Sequence, residues 1–223
     1  MQEPEDELEG LTRLPLFPLG TVLFPGGMLL LRIFEVRYLD MIGQAHKAGT
    51  PFGVVTLNAG SEVRRKDDVG EGFALESFEP VGTLAHIEWM DRPQPGLMLI
   101  RCRGGQRFDL KHRECLAHGL WQGEARLLPD DLAVPVPAEL NHVAAMLAGM
   151  LKQWLASTGE GAVLPVQPPY ELDDCAWLAN RWCELLPLEP ALAYRLLTLD
   201  NPVLRLELVA DQIQRFGVEL PPG

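Results

Sequence analysis

The chain has 223 residues, of which 47% are hydrophobic and 22% charged, the proportions of a globular protein with ample length for one large domain or two small ones. Its formal net charge of −12 opposes generic binding to nucleic acid or an anionic membrane, and no apolar run approaches membrane-spanning length. Four cysteines, Cys102, Cys115, Cys175 and Cys183, lack a Cys-x-x-Cys spacing and are expected as reduced thiols, not as a disulfide framework.

Residues 1–12 open with Glu3, Glu5, Asp6, Glu7 and Glu9, and such a run of like charge predicts a flexible acidic arm. The acidic start is unlike a signal peptide, so a cytoplasmic location is expected. Leu14 to Tyr38 then reads LPLFPLGTVLFPGGMLLLRIFEVRY. Pro15 and Pro18 exclude a helix from its first half. The pattern predicts short strands around Leu14–Leu19 and Val22–Phe24, a turn at Pro25-Gly26-Gly27, and a central buried strand over Met28–Phe34. Glu35 to Ala48 follows as a helix with Val36, Leu39, Met41 and Ile42 towards one side, ended by Gly49-Thr50-Pro51.

A strand at Phe52–Leu57 precedes Gly60–Gly72, a charged segment that reads most simply as a solvated loop. Val81–Trp89 is strand-like. Leu97–Cys102 and Gln106–Leu110 suggest a hairpin across Gly104-Gly105, and Leu120–Leu128 a further strand. Near 129–137 the period changes. Leu140, Val143, Ala144, Leu147, Met150, Leu151, Trp154 and Leu155 follow helical spacing through Pro137–Ser157. A Gly/Pro-rich loop separates this from a second helix over Glu171–Leu186. A short third helix follows Pro190, and a fourth is capped by Asn201-Pro202 and carries Leu206, Val209, Ala210, Ile213 and Phe216.

The Leu14–Tyr38 stretch closely resembles the opening motif of the Lon N-terminal, or Lon substrate-binding, domain. The resemblance extends through Pro51-Phe52-Gly53-Val54-Val55, Val81–Ile87, Leu99–Phe108 and the helical run from Leu178 to Leu208. Within the family, the chain is most similar to stand-alone proteins that carry this domain without the ATPase or protease. The acidic start and segment 159–170 depart from the family pattern. The resemblance implies an α+β fold: a PUA-like β pseudo-barrel over 13–130, then a helical bundle over 137–217. It also implies a non-catalytic module without a cofactor that recognises polypeptide, as an adaptor in protein quality control. The related domain of Lon also supports oligomer contacts, so a homo-oligomer is compatible with the resemblance.

The sequence lacks several catalytic signatures. Lys47, Lys66, Lys111 and Lys152 never follow a glycine, so there is no Gly-Lys-Ser/Thr phosphate loop. Ser61, Ser77 and Ser157 lie outside any Gly-x-Ser-x-Gly elbow. His112, Cys115 and His118 are spaced by three, a period that scatters side chains over both faces of a strand and makes a closed metal site a poor fit. Arg101 and Arg103 share a strand face and, with Arg107, are positioned either to grip an anion or to pair with the protein's own acids; the second is favoured. Glu35 and Arg37 read as structural partners at a strand–helix junction. Peptide capture needs an apolar groove or a free strand edge. The candidate lining is Phe34, Tyr38, Phe52, Trp89 and Phe108. Two rival readings stand beside this one: an RNA module using Arg64, Arg65, Lys66, Arg101, Arg103 and Arg107, and a small-molecule enzyme with an unrecognised site.

Overall fold

The computed structural model describes residues 11–59, 76–116, 118–157 and 163–218. Six strands form one sheet: β1 (Leu11–Leu19), β2 (Met28–Ile33), β3 (Phe52–Ala59), β4 (Ser77–Gln94), β5 (Leu97–Cys115) and β6 (Trp121–Leu127). The helices are α1 (Val36–Ala48), α2 (Asn141–Ser157), α3 (Cys175–Leu185), α4 (Pro190–Leu197) and α5 (Pro202–Arg215). The chain is thus mixed α+β. It divides into two compact units, Met1–Pro25 with Leu29–Asp130 and Gly26–Met28 with Asp131–Gly223.

In the first unit the strand order is β2-β5-β4-β3-β1-β6, and β6 also pairs with β5. The strands β5, β4, β3, β1 and β6 therefore close into a ring, with β2 attached to β5. The two prolines of β1 fit because the strand is staggered. Leu11–Leu16 is in register with β6 and Leu16–Leu19 with β3, so Pro15 and Pro18 each face one neighbour. A missing N–H is tolerated where only one side is paired.

Alternation along the strands feeds two cores. Leu14, Leu16, Val55, Phe78, Leu84, Phe108 and Ala125 meet in one. Phe17, Leu19, Phe52, Val54, Ala85, Ile100 and Cys102 meet Tyr38, Met41 and Ile42 of α1 in the other. Helix α1 ends at Gly49, whose φ of 66° lets its N–H reach back to the carbonyls of Ala45 and His46.

Several sequence expectations are corrected in this unit. Met28–Phe34 is not a central strand: β2 ends the strand order, and Leu30 is 63% exposed. Val22–Phe24 is irregular, although Leu23 and Phe24 are buried. The Leu23 carbonyl there accepts a 2.6 Å bond from Thr83 Oγ1. Val36 lies exposed at the start of α1, which instead buries Arg37, Tyr38, Met41, Ile42 and Ala45. Leu11 and Thr12 belong to β1 and not to the arm. The remainder of the arm and segment 60–72, with Arg64, Arg65 and Lys66, lie outside the described residues.

The largest correction falls at Gly104-Gly105. No turn occurs there; β5 runs straight through, and its hairpin with β4 turns at Pro95-Gly96, where Gly96 has φ 78°. The two glycines answer to close approach. A Cβ at Gly104 stands 2.2 Å from the Phe24 carbonyl oxygen, and one at Gly105 stands 2.6 Å from His86 Nε2.

In the second unit, α2 buries Val143, Met146, Leu147 and Leu151 but leaves Leu155 exposed. Helix α3 begins at Cys175, not Glu171. Asp174 caps it, accepting from Trp177 N at 2.8 Å while its other oxygen accepts from Val134 N at 2.9 Å. The expected cap at Asn201 is present, accepting from Val203 N and Leu204 N. Phe216, expected on the buried stripe of α5, is exposed. Arg205 of α5 is buried and bonded by Asp131 at 2.6 and 2.9 Å and by Asn180 Oδ1 at 2.9 Å.

Candidate functional site

The predicted lining residues separate into two groups. Tyr38, Phe52, Phe108 and Arg107 are buried, between 0% and 4% exposed; of the four, Tyr38 reaches a small surface notch. Tyr38 stacks on Phe17 with ring centroids 4.0 Å apart, and Phe52 lies 6.1 Å from the same ring. Phe108 fills the space left by Gly53 and Gly82, and Arg107 is engaged within the fold. All four serve packing that the strand alternation imposes.

Phe34 and Trp89 are exposed, at 56% and 44%. Trp89 on β4 is in register with Arg101 on β5. Arg101 and Arg103 share a face as expected, and Glu88 lies between them. Arg103 Nε donates to Glu88 Oε1 at 2.6 Å, and Arg101 Nε stands 3.7 Å from Glu88 Oε2. The single Glu88 carboxylate offsets one of the two positive charges, with Arg103 the closer partner, which reduces the charge offered to an anionic ligand.

Two apolar residues absent from the sequence-based set join Phe34. Leu30 is 63% exposed and Val36 is 72% exposed. Arg32 was the available signal. A lone charge in MLLLRIF marks the outward face of the strand, and residues two positions either side, Leu30 and Phe34, share that face. Beside Phe34 is a notch of about 80 Å³ whose lining includes Phe17, Leu19, Leu31, Ile33 and Tyr38. The first unit therefore carries an apolar shelf along β2, next to a strand edge that has one pairing partner among the described residues.

The end of the shelf is fixed by a buried polar network. Arg37 donates to Glu76 Oε1 at 2.8 Å, to the Gly119 carbonyl at 2.6 Å and to Glu35 Oε2 at 3.2 Å. Trp121 Nε1 donates to Glu76 Oε2 at 2.7 Å. Burial pushes the Arg37 pKa down, but Glu76, Tyr38 and Glu35 together outweigh it and hold the pKa above the ordinary value. Glu35 and Arg37 are structural residues here, as their place in the sequence suggests.

A polar cleft of about 320 Å³ lies over β1, β5 and β6, lined by Arg13, His112, Glu114, Glu124 and neighbours. Arg13 and Glu114 form an ion pair across it. Cys115 and His118 do not line it, and among the described residues no three His, Cys, Asp or Glu side chains converge to hold a metal ion. Burial pushes the thiols of Cys102 and Cys183 up to about 12, so neither is a nucleophile at neutral pH. Among the described residues, no helix is long and apolar enough to cross a membrane.

The sequence matches the family model of the ATP-dependent protease La (LON) substrate-binding domain over residues 13–215. Among solved structures it is similar to a Lon N-terminal domain protein from Xanthomonas campestris. The identity is 31% and the TM-score 0.66, over 90% of this chain and 98% of that one. The N-terminal domain of the Mycobacterium avium complex Lon protease shares the fold at 17% identity, with a TM-score of 0.57 over 91% of this chain and 98% of that one. No curated protein matches the chain.

Proposed function

This chain belongs to the LON substrate-binding domain family, and on that premise we propose that it captures unfolded polypeptide on the β2 shelf, as a non-catalytic adaptor in cytoplasmic protein quality control. One observation carries the reading: Leu30, Phe34 and Val36 are each more than half exposed within seven residues. Exposed apolar side chains clustered in this way suit a polypeptide-binding face. Of the sequence-based lining, Phe34 belongs to this shelf, while Trp89 is exposed on β4.

The same reading takes the closed ring of strands as a PUA-like pseudo-barrel over 13–130 and α2–α5 as a helical bundle over 137–217. The pairing of β6 with both β1 and β5 supports the first. The RNA reading has less support, because Glu88 takes up one of the two charges of Arg101 and Arg103 and Arg107 is buried.

The test is a binding titration with fluorescein-labelled casein, an unfolded polypeptide. Casein is expected to bind, and Leu30→Asp with Phe34→Asp is expected to abolish binding without lowering the melting temperature. Unchanged binding by that double variant refutes the assignment. ATP and magnesium are expected to give no turnover above background; stoichiometric, repeated hydrolysis overturns the non-catalytic reading.

A further inference from the structure

We infer that the occupant of the shelf is an extended segment of the form apolar–x–acidic–x–apolar, added as a strand to the free edge of β2; the inference rests on the polypeptide-binding reading above. Among the described residues β2 pairs with β5 alone, and an edge without a paired strand offers a row of backbone donors and acceptors. Along it, Leu30, Arg32 and Phe34 are exposed, while Leu29 and Leu31 are partly covered and Ile33 is buried. The exposed row therefore reads apolar, cationic, apolar at a two-residue period.

Arg32 shares with Arg92 and Arg126 the lack of an ion pair among the described residues, but it alone of the three stands on β2 between exposed Leu30 and Phe34. Arg13 pairs with Glu114, Arg37 with Glu35 and Glu76, and Arg101 and Arg103 with Glu88. Arg32 makes no ion pair among the described residues, in a chain of net charge −12. Nearby Glu35 is taken by Arg37 at 3.2 Å.

An added strand places every second side chain beside this row, at cross-strand contact distance. Its complement is an acid opposite Arg32 and apolar side chains opposite Leu30 and Phe34. The row is symmetric about Arg32, so parallel and antiparallel additions demand the same pattern. The intervening residues of the segment face the Leu29, Leu31 and Ile33 side, where small or apolar side chains fit.

The probes are three labelled heptapeptides, Gly-Leu-Ser-Glu-Ser-Leu-Gly, the same peptide with Lys for Glu, and the Glu peptide with alternate backbone nitrogens methylated. Fluorescence anisotropy is read against the full chain and against Arg32→Glu. The Glu peptide is expected to bind about fivefold tighter than the Lys peptide, near the upper end of what one cross-strand ion pair supplies. Arg32→Glu is expected to invert the preference, and methylation on the pairing edge to abolish binding. Equal affinity for the Glu and Lys peptides, or no inversion, overturns the acid specificity; methylated peptide binding as well as unmethylated overturns strand addition. In either case casein binding that still depends on Leu30 and Phe34 leaves the polypeptide-binding reading intact. Loss of casein binding as well removes both. Concentration-dependent self-association abolished by Arg32→Glu assigns the edge to a second copy of the chain and overturns the inference.

Discussion

Gly82 and Phe108 are cross-strand neighbours on β4 and β5, and the Phe108 ring occupies the space a side chain at 82 requires. A Cβ at Gly82 stands 2.4 Å from Phe108 Cζ and 2.4 Å from the Val54 carbonyl oxygen. The same ring edge is packed as closely over Gly53, where an added Cβ would lie 2.8 Å from Phe108 Cζ, and the backbone oxygen cannot move without disturbing the β3–β4 ladder. Gly82→Ala is therefore expected to cost about 3 kcal/mol, the upper end of ordinary overpacking. Urea denaturation checks this, and a midpoint equal to the wild type's refutes the tight-interior assignment.

Removing one member of the Arg37 network is expected to cost more than softening it. Arg37→Met leaves Glu76, whose side chain is 6% exposed, without its cation, and a broken buried pair costs about 3–5 kcal/mol. Glu76→Gln keeps an acceptor for Trp121 Nε1 and leaves Glu35 beside Arg37, so about 1–3 kcal/mol is expected. A thermal melt of both variants reads the order. The reverse order shows that Glu76, not Arg37, holds α1 in place.

The family was legible in the sequence because the turn glycines, prolines and apolar runs of the opening motif are local features. Helix α1, the cap at Asn201 and the Arg101–Arg103 face were legible for the same reason. What local reading missed depends on which strands become neighbours. Gly104-Gly105 resembles a turn until Phe24 and His86 are placed against it. The run MLLLRIF reads as a central strand if Arg32, its one outward signal, is passed over, and its place at the end of the strand order is visible only in the fold. Tyr38, Phe52 and Phe108 have the composition of a binding surface and the position of a core, and only the strand register distinguishes the two.

The thiols supply a pH prediction. Cys102 and Cys183 ionise at the ordinary value of 9.0 when unfolded and at about 12 when buried. Between those values the unfolded chain has lost protons that the folded chain retains, so stability falls as pH rises. Below pH 9 both states are protonated and the contribution is complete. Denaturation midpoints are expected to decline from pH 9 upward, less steeply in Cys102→Ala with Cys183→Ala. In native protein a thiol reagent at pH 8 is expected to modify Cys115, which is exposed, ahead of the buried Cys102, Cys175 and Cys183. Rapid modification of all four contradicts the burial of the other three.

Phe24 and Leu30 stand six positions apart in the same apolar stretch, with opposite roles. Phe24 is 1% exposed, whereas Leu30 is 63% exposed. Truncating Phe24 removes a ring enclosed on all sides and leaves a cavity, so Phe24→Ala is expected to cost about 3–5 kcal/mol. That is a large share of a typical stability of about 5–15 kcal/mol, and poorly soluble protein is the expected companion. Leu30→Ala removes side-chain surface already in water and is expected to shift stability by no more than about 0.5 kcal/mol. Its effect belongs to binding, where labelled casein is expected to dissociate faster. Chemical denaturation and the casein titration, run on both variants, assign the roles. A Leu30→Ala protein that loses stability as Phe24→Ala does places Leu30 in the core and removes the shelf. A Phe24→Ala protein of full stability that releases casein moves the site to the other end of the stretch.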